Sequence, residues 1–206
     1  MKNIDLSLYL VTDKSDDVEK FLKTIEEAIK GGVSIVQIRE KTSETLDFYN
    51  LSLKVKEITS KYNVPLIIND RVDIALAIDA DGVHVGQSDM PCDITRKLIG
   101  NDKILGVSAA TIPEAKKAEE DGADYIGTGA VFPTSTKDDA PKITKKDLKE
   151  IVDSINIPVV AIGGINHNNA HELVDTGIKG LSVVSAIMSS DNPKESSEKL
   201  LNIFNS

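Results

Sequence analysis

Residues 18–41 read VEKFLKTIEEAIKGGVSIVQIREK, and two periodicities meet inside that stretch. Val18, Phe21, Leu22, Ile25 and Ile29 recur at helical spacing, with Glu19, Lys20, Glu26 and Lys30 opposite them, which is the pattern of an amphipathic helix. Gly31-Gly32 supplies a stop signal. Val33 to Ile38 then reads as a short buried strand. At its end the two-residue alternation puts Val36 and Ile38 on one face and Gln37, Arg39 and Lys41 on the other. The apolar pair suits a layer of helices, so a glutamine and two cations face elsewhere. Either the strand stops early and both cations are solvated, or they gather round an anion, because burying unpaired cations is costly.

The same alternation runs outward in both directions. Strand-like runs are Leu6 to Val11, Pro65 to Asn69, Gly82 to Val85, Ile104 to Val107, Tyr125 to Gly129, Pro158 to Ile162 and Gly180 to Val184. Amphipathic stretches lie at Leu46 to Ser60, Ile112 to Glu120, Lys145 to Ser154, Asn169 to Thr176 and Pro193 to Phe204, with Gly122 and Gly177 as further stops. Near-continuous apolar strands are covered on both faces, which means parallel strands with helices outside. Eight strand-then-helix units close most economically as a (β/α)₈ TIM barrel, and an open doubly wound sheet is the competitor. No Pro-rich linker or low-complexity segment interrupts the pattern, so residues 1–206 are expected to form a single α/β domain.

Composition sets limits on function. A chain of 206 residues is lean for such a barrel, which typically needs about 250 and runs down to about 200. Hydrophobic residues at 40% and charged residues at 28% argue against disorder. A formal net charge of −9 argues against nucleic-acid binding. It leaves a small anionic substrate open, since screening confines the global field to about 8 Å. Cys92 is the only cysteine, which fits a reducing compartment, and no apolar run is long enough to span a membrane. The expectation is a soluble cytoplasmic protein.

In a barrel, polar residues at the carboxyl ends of strands mark the active face. Beyond Gln37, Arg39 and Lys41, the third strand ends in Asn69-Asp70, and Gly86-Gln87-Ser88-Asp89 follows the fourth. Carboxylates leaving adjacent strand ends, about 4.8 Å apart, reach a common point. Beside an anionic substrate, Asp70 and Asp89 would repel it unless a cation bridged them. One or two carboxylates with phosphate oxygens and waters describe Mg²⁺, whereas zinc would want His or Cys at ligand spacing. His84 reads as a packed residue rather than a ligand. Ser108 ends the fifth strand, and residues 129–141 form the longest irregular connection, with hydroxyls at Thr134, Ser135 and Thr136 and a cation at Lys137. Gly163-Gly164 and Val184-Ser185 follow strands seven and eight, where such barrels commonly bind phosphate. One side of the mouth is thus equipped for a diphosphate and the other for a monophosphate. No nucleophile sits beside a base, which points to leaving-group stabilisation and the placing of two substrates together.

The ordered series Gln37-Ile38-Arg39-Glu40-Lys41, Ile68-Asn69-Asp70-Arg71-Val72-Asp73, His84-Val85-Gly86-Gln87-Ser88-Asp89, Val131-Phe132-Pro133-Thr134-Ser135-Thr136-Lys137, Gly163-Gly164-Ile165 and Val183-Val184-Ser185-Ala186-Ile187 resembles the thiamine-phosphate synthase family over nearly the whole chain. The resemblance implies a C–N bond-forming transferase that joins 4-amino-2-methyl-5-(diphosphooxymethyl)pyrimidine to a thiazole phosphate. It implies that Gln37, Arg39, Lys41, Asn69, Ser108 and Lys137 hold the pyrimidine diphosphate, with Arg39, Lys41, Ser108 and Lys137 acting in catalysis. Asp70 and Asp89 would bind Mg²⁺. Thr134, Ser135, Thr136, Gly164 and the Val184-Ser185 backbone would hold the thiazole phosphate. Three alternatives remain: a thiazole tautomerase on the same barrel, a phosphosugar isomerase, and a phosphate-ligand sensor. The partners expected are small molecules, with neither nucleic acid nor membrane, and the sequence leaves room for a homo-oligomer.

Overall fold

The computed structural model describes residues 4–134 and 141–206. Its strands are β1 (Leu8–Val11), β2 (Ile35–Ile38), β3 (Leu66–Asn69), β4 (Gly82–Val85), β5 (Ile104–Ser108), β6 (Tyr125–Thr128), β7 (Val159–Ile162) and β8 (Gly180–Val183). All pairings are parallel, and β8 returns to β1 to close the barrel. This removes the doubly wound competitor, whose sheet would keep two free edges. The connecting helices are α1 (Val18–Lys30), α2 (Thr45–Lys61), α3 (Val72–Ala77), α4 (Cys92–Ile99), α5 (Ile112–Glu120) and α6 (Lys145–Ser154); α7 (Ser185–Met188) and α8 (Pro193–Phe204) follow β8.

Local chemistry sets the helix starts. The Asp17 carboxylate accepts from the Lys20 N–H at 3.0 Å, and Thr111 with Glu114 and Thr144 with Asp147 form reciprocal capping boxes. Two features depart from the pattern in the sequence. The connection after β7 is a 3₁₀ helix over Ala170–Thr176 rather than an α-helix. A turn in which Asn169 Oδ1 accepts from the Asn166 N–H precedes it and left-handed Gly177 (φ 85°) ends it, leaving room for little more than two turns. Helices α3 and α4 are short and stand out weakly by periodicity; α3, six residues long, buries Val72, Ile74 and Ala75.

The strand alternation divides the core in two. Leu8, Leu10, Val36, Ile38, Leu66, Ile68, Val83, Val85 and Leu105 join the layer between sheet and helices. Tyr9, Val11, Ile35, Ile67, Ile104, Tyr125 and Val160 fill the barrel itself. Two tyrosines in so small a barrel require empty positions opposite them. A Cβ on Gly106 would lie 2.1 Å from Tyr125 Cζ and 2.5 Å from His84 Nδ1, so β5 carries glycine where those rings cross.

The amino-terminal end of the barrel is tied by Arg96, which is 14% exposed and pairs with Asp124 at 2.7 Å. Its guanidinium also donates to the carbonyls of Gly100, Lys103 and Gly122, joining α4 to the entries of β5 and β6. Arg96→Met is expected to destabilise the fold by about 3 kcal/mol, because it removes the cation from a half-buried carboxylate and the donor from several carbonyls. Denaturant unfolding measures that loss, while turnover per folded molecule stays at the parent value. A loss below about 0.5 kcal/mol would show that water replaces the guanidinium at no cost.

Candidate active site

The carboxyl ends of the strands open into a cavity of about 720 Å³. Gln37, Arg39, Lys41, Asn69, Asp70, Asp89, Ser108, Thr134, Gly164, Val184 and Ser185 all line it. The structure therefore brings together every site residue expected from the sequence that falls within the described residues. Ser135, Thr136 and Lys137 lie outside them.

Strand β2 supplies the first arc. Gln37 is buried, Arg39 is half-buried with its N–H donating to Thr12 Oγ1 at 3.1 Å, and Lys41 stands at the exposed rim. Lys41 Nζ donates to Asp70 Oδ2. Arg39 makes no ion pair among the described residues, so a half-buried guanidinium is turned to a cavity that can admit an anion.

Asp70 leaves β3 in the left-handed region, at φ 61°, which Asp tolerates better than most side chains. Its N–H donates to the His84 carbonyl at 2.8 Å, and Val72 N–H donates back to its carbonyl at 3.1 Å. This turn sends the carboxylate toward the end of β4, where Asp89 lies within hydrogen-bonding reach. Asp89 is itself fixed by the Gly86 N–H, which donates to its Oδ2 at 2.8 Å. Burial raises the Asp70 pKa above the usual carboxylate range; Lys41 pulls it back and Asp89 pushes it further up. Two adjacent carboxylates, one of them held by Lys41, make a donor set that a hard cation would complete. Among the described residues no group of three or more His, Cys, Asp or Glu side chains could hold a metal ion.

The opposite arc is backbone. Gly163 (φ 102°) and Gly164 (φ 64°) turn after β7, and Val131 and Phe132 N–H groups donate to the carbonyls of Ile162 and Gly163 at 3.0 and 3.1 Å. The segment after β6 therefore runs against the end of β7. A Cβ on Gly164 would lie 2.4 Å from the Pro133 carbonyl oxygen, so glycine is required here by close packing. Pro141 and Ile143 pin the other stem of that connection to Ala130 at 2.7 and 3.0 Å.

Beneath the cavity, two tyrosines that the sequence did not single out join Gln37, His84 and Ser108. Tyr9 Oη and Tyr125 Oη lie 2.6 Å apart, Gln37 Nε2 donates to Tyr9 Oη at 2.7 Å, and His84 spans from Tyr125 Oη (2.9 Å, Nδ1) to Ser108 Oγ (2.9 Å, Nε2). Burial pushes both tyrosine pKa values up, so each phenol keeps its proton. His84 lies inside the barrel. Nothing in the local sequence announces the two tyrosines, since each occupies an ordinary inward position of a short apolar strand.

A closed parallel barrel with cations and paired carboxylates gathered at the strand ends has the architecture of a (β/α)₈ barrel enzyme. Residues 8–187 match the family model described as thiamine monophosphate synthase. The chain is 73% identical over 204 residues to the thiamine-phosphate synthase of Methanobrevibacter smithii, covering 99% of this chain and 98% of that one. It is 58% identical over 200 residues to the one from Alkaliphilus oremlandii, covering 96% and 95%. The solved thiamine phosphate pyrophosphorylase from Pyrococcus furiosus superposes with a TM-score of 0.87 at 39% identity, over 98% of this chain and 96% of that one. The chain belongs to the thiamine monophosphate synthase family. No helix among the described residues is long and apolar enough to cross a membrane.

Proposed function

We propose that this barrel joins 4-amino-2-methyl-5-(diphosphooxymethyl)pyrimidine to a thiazole phosphate, giving thiamine phosphate and diphosphate. The observation that carries this reading is the pairing of two unlike arcs on one cavity: Arg39, Lys41, Asp70 and Asp89 on one side, Gly164 and the Val184-Ser185 backbone on the other. The names of the relatives support the same reaction. A single cysteine and a net charge of −9 suit a soluble, cytoplasmic enzyme acting on small molecules.

Asp70 and Asp89 would hold Mg²⁺, which when bound supplies positive charge to diphosphate oxygens. Arg39 and Lys41 neutralise the same group, joined by Lys137, and Ser108 donates a hydrogen bond to it. Gln37 and Asn69 orient the pyrimidine above the barrel floor. Thr134, Ser135 and Thr136, with Gly164 and the Val184-Ser185 backbone, hold the thiazole phosphate so that its ring nitrogen faces the pyrimidine CH₂. The C–O bond breaks with its electrons leaving on diphosphate, and the nitrogen lone pair forms the new C–N bond. The nitrogen keeps the resulting positive charge, so no protein base is required. A cavity floored by Tyr9, Val160 and Ile162 limits water around the pyrimidine-methyl cation.

The test mixes both substrates with the purified protein, with and without Mg²⁺, and seeks thiamine phosphate by mass spectrometry. Product is expected only when both substrates and the metal are present. Isomerisation of a single phosphorylated substrate, or binding without turnover, would replace this reading with one of the three alternatives.

A further inference from the structure

The barrel floor is crossed by a file of hydrogen bonds from Gln37 on β2 through Tyr9 on β1, Tyr125 on β6 and His84 on β4 to Ser108 on β5. Both ends of the file line the cavity and its centre is buried, with Tyr9 1% and Tyr125 0% exposed. Each interior member is engaged on both sides, so the file has a direction. Gln37 Nε2 donates to Tyr9, and the direction that uses every proton of the file has Tyr9 donate to Tyr125. Tyr125 then gives its proton to His84 Nδ1, which leaves the proton of a neutral imidazole on Nε2, donating to Ser108 Oγ. Ser108 is left with its hydroxyl proton to give to the cavity, and Gln37 with its Oε1 acceptor.

We infer that Tyr9, Tyr125 and His84 are positioning residues that lock the amide of Gln37 to the hydroxyl of Ser108, so that the amide is held with its Oε1 acceptor free of the file while the hydroxyl at the other end donates. This rests on the proposed function, and it adds what selects the pyrimidine. A diphosphate beside Ser108 accepts hydrogen bonds and offers none, so it favours the direction in which Ser108 donates. Gln37 then faces the ring with an acceptor, which matches the protons of a 4-amino group and opposes the lone pairs of a 4-oxo group. A site built on a fixed donor–acceptor pattern rejects the wrong partner strongly, because a mismatched buried polar group is left unpaired. The file thereby makes the charged end of one substrate set the specificity at its ring end.

Two variants separate this from simple packing. Tyr9→Phe cuts the file beside Gln37 and leaves Tyr125 to fix His84; Tyr125→Phe cuts it beside His84. Both keep the rings. The measurements are the ratio of kcat/KM for the 4-amino and 4-oxo pyrimidine diphosphates, and the tautomer of His84 by ¹⁵N NMR of the protein without substrates, assigned with His84→Gln. In the parent, Nε2 carries the proton and Nδ1 does not. Each tyrosine variant is expected to lower the amino-to-oxo ratio at least tenfold. Tyr9→Phe keeps the parent tautomer, whereas Tyr125→Phe populates both. A protonated Nδ1 in the parent, or a parent-like ratio in both variants, overturns the inference. A parent that makes no thiamine phosphate from the 4-amino substrate overturns the reaction itself, and the NMR result stands apart from that outcome.

Discussion

Asp70→Asn is expected to lower kcat by about 10²–10³-fold, the loss typical of removing one preorganised group from a developing charge, while the melting temperature stays near the parent. Asparagine is the informative replacement because the position sits at φ 61°, a conformation that Asn tolerates and that costs Ala roughly 1–2 kcal/mol. The substitution keeps the backbone bond to the His84 carbonyl and the side-chain volume, and removes one charge. Lys41 then loses its carboxylate partner and Asp89 is left as the only acid of the pair. The Mg²⁺ concentration for half-maximal rate should rise together with the fall in kcat. A parent-like rate at saturating Mg²⁺ would reject the assignment of the metal to these two carboxylates. Asp89 is the less clean probe, since its carboxylate also closes the turn after β4 through the Gly86 N–H at 2.8 Å. A change there mixes turn stability with ligation.

How much of this was legible in the sequence depends on the range of the interaction concerned. The end of β2 could be read in part: Gln37 alternates with Val36 and Ile38, and a period of two settles its face, whereas Arg39 and Lys41 follow the last strand residue and reach the cavity from the loop. Asp70 and Asp89 could be paired because they leave adjacent parallel strands. The barrel floor could not be read, since its hydrogen bonds join residues up to 116 positions apart and exist only once β6 lies across from β1. Within its own strand Tyr125 differs from a buried apolar residue only by a hydroxyl whose partners are elsewhere. Gly106 is similar: in the sequence it is a small residue at a strand end, and in the barrel it is the space that Tyr125 and His84 occupy. Gly163 and Gly164 fall between these cases. Their association with a ligand loop follows from their place after β7, whereas their packing on Ala130, Phe132 and Pro133 depends on where the segment after β6 lies.

That packing gives Gly164→Val two routes to the same loss. At φ 64° a β-branched side chain is strained, and its Cβ would begin 2.4 Å from the Pro133 carbonyl oxygen and 2.9 Å from Phe132 Cβ. The backbone after β7 or the segment after β6 must shift, and either shift moves the arc assigned to the thiazole phosphate. The Kd of thiazole phosphate is therefore expected to rise at least 100-fold, about 2.7 kcal/mol, measured by calorimetry. Binding of inorganic diphosphate with Mg²⁺ is assigned to Arg39, Lys41, Asp70 and Asp89 in the proposed reaction, so its Kd is expected to stay within threefold of the parent. An unchanged thiazole phosphate Kd would remove Gly164 from that arc. Equal weakening of both ligands would instead mean that the strain at β7 reaches the whole rim, and that the two arcs are not separate binding sites.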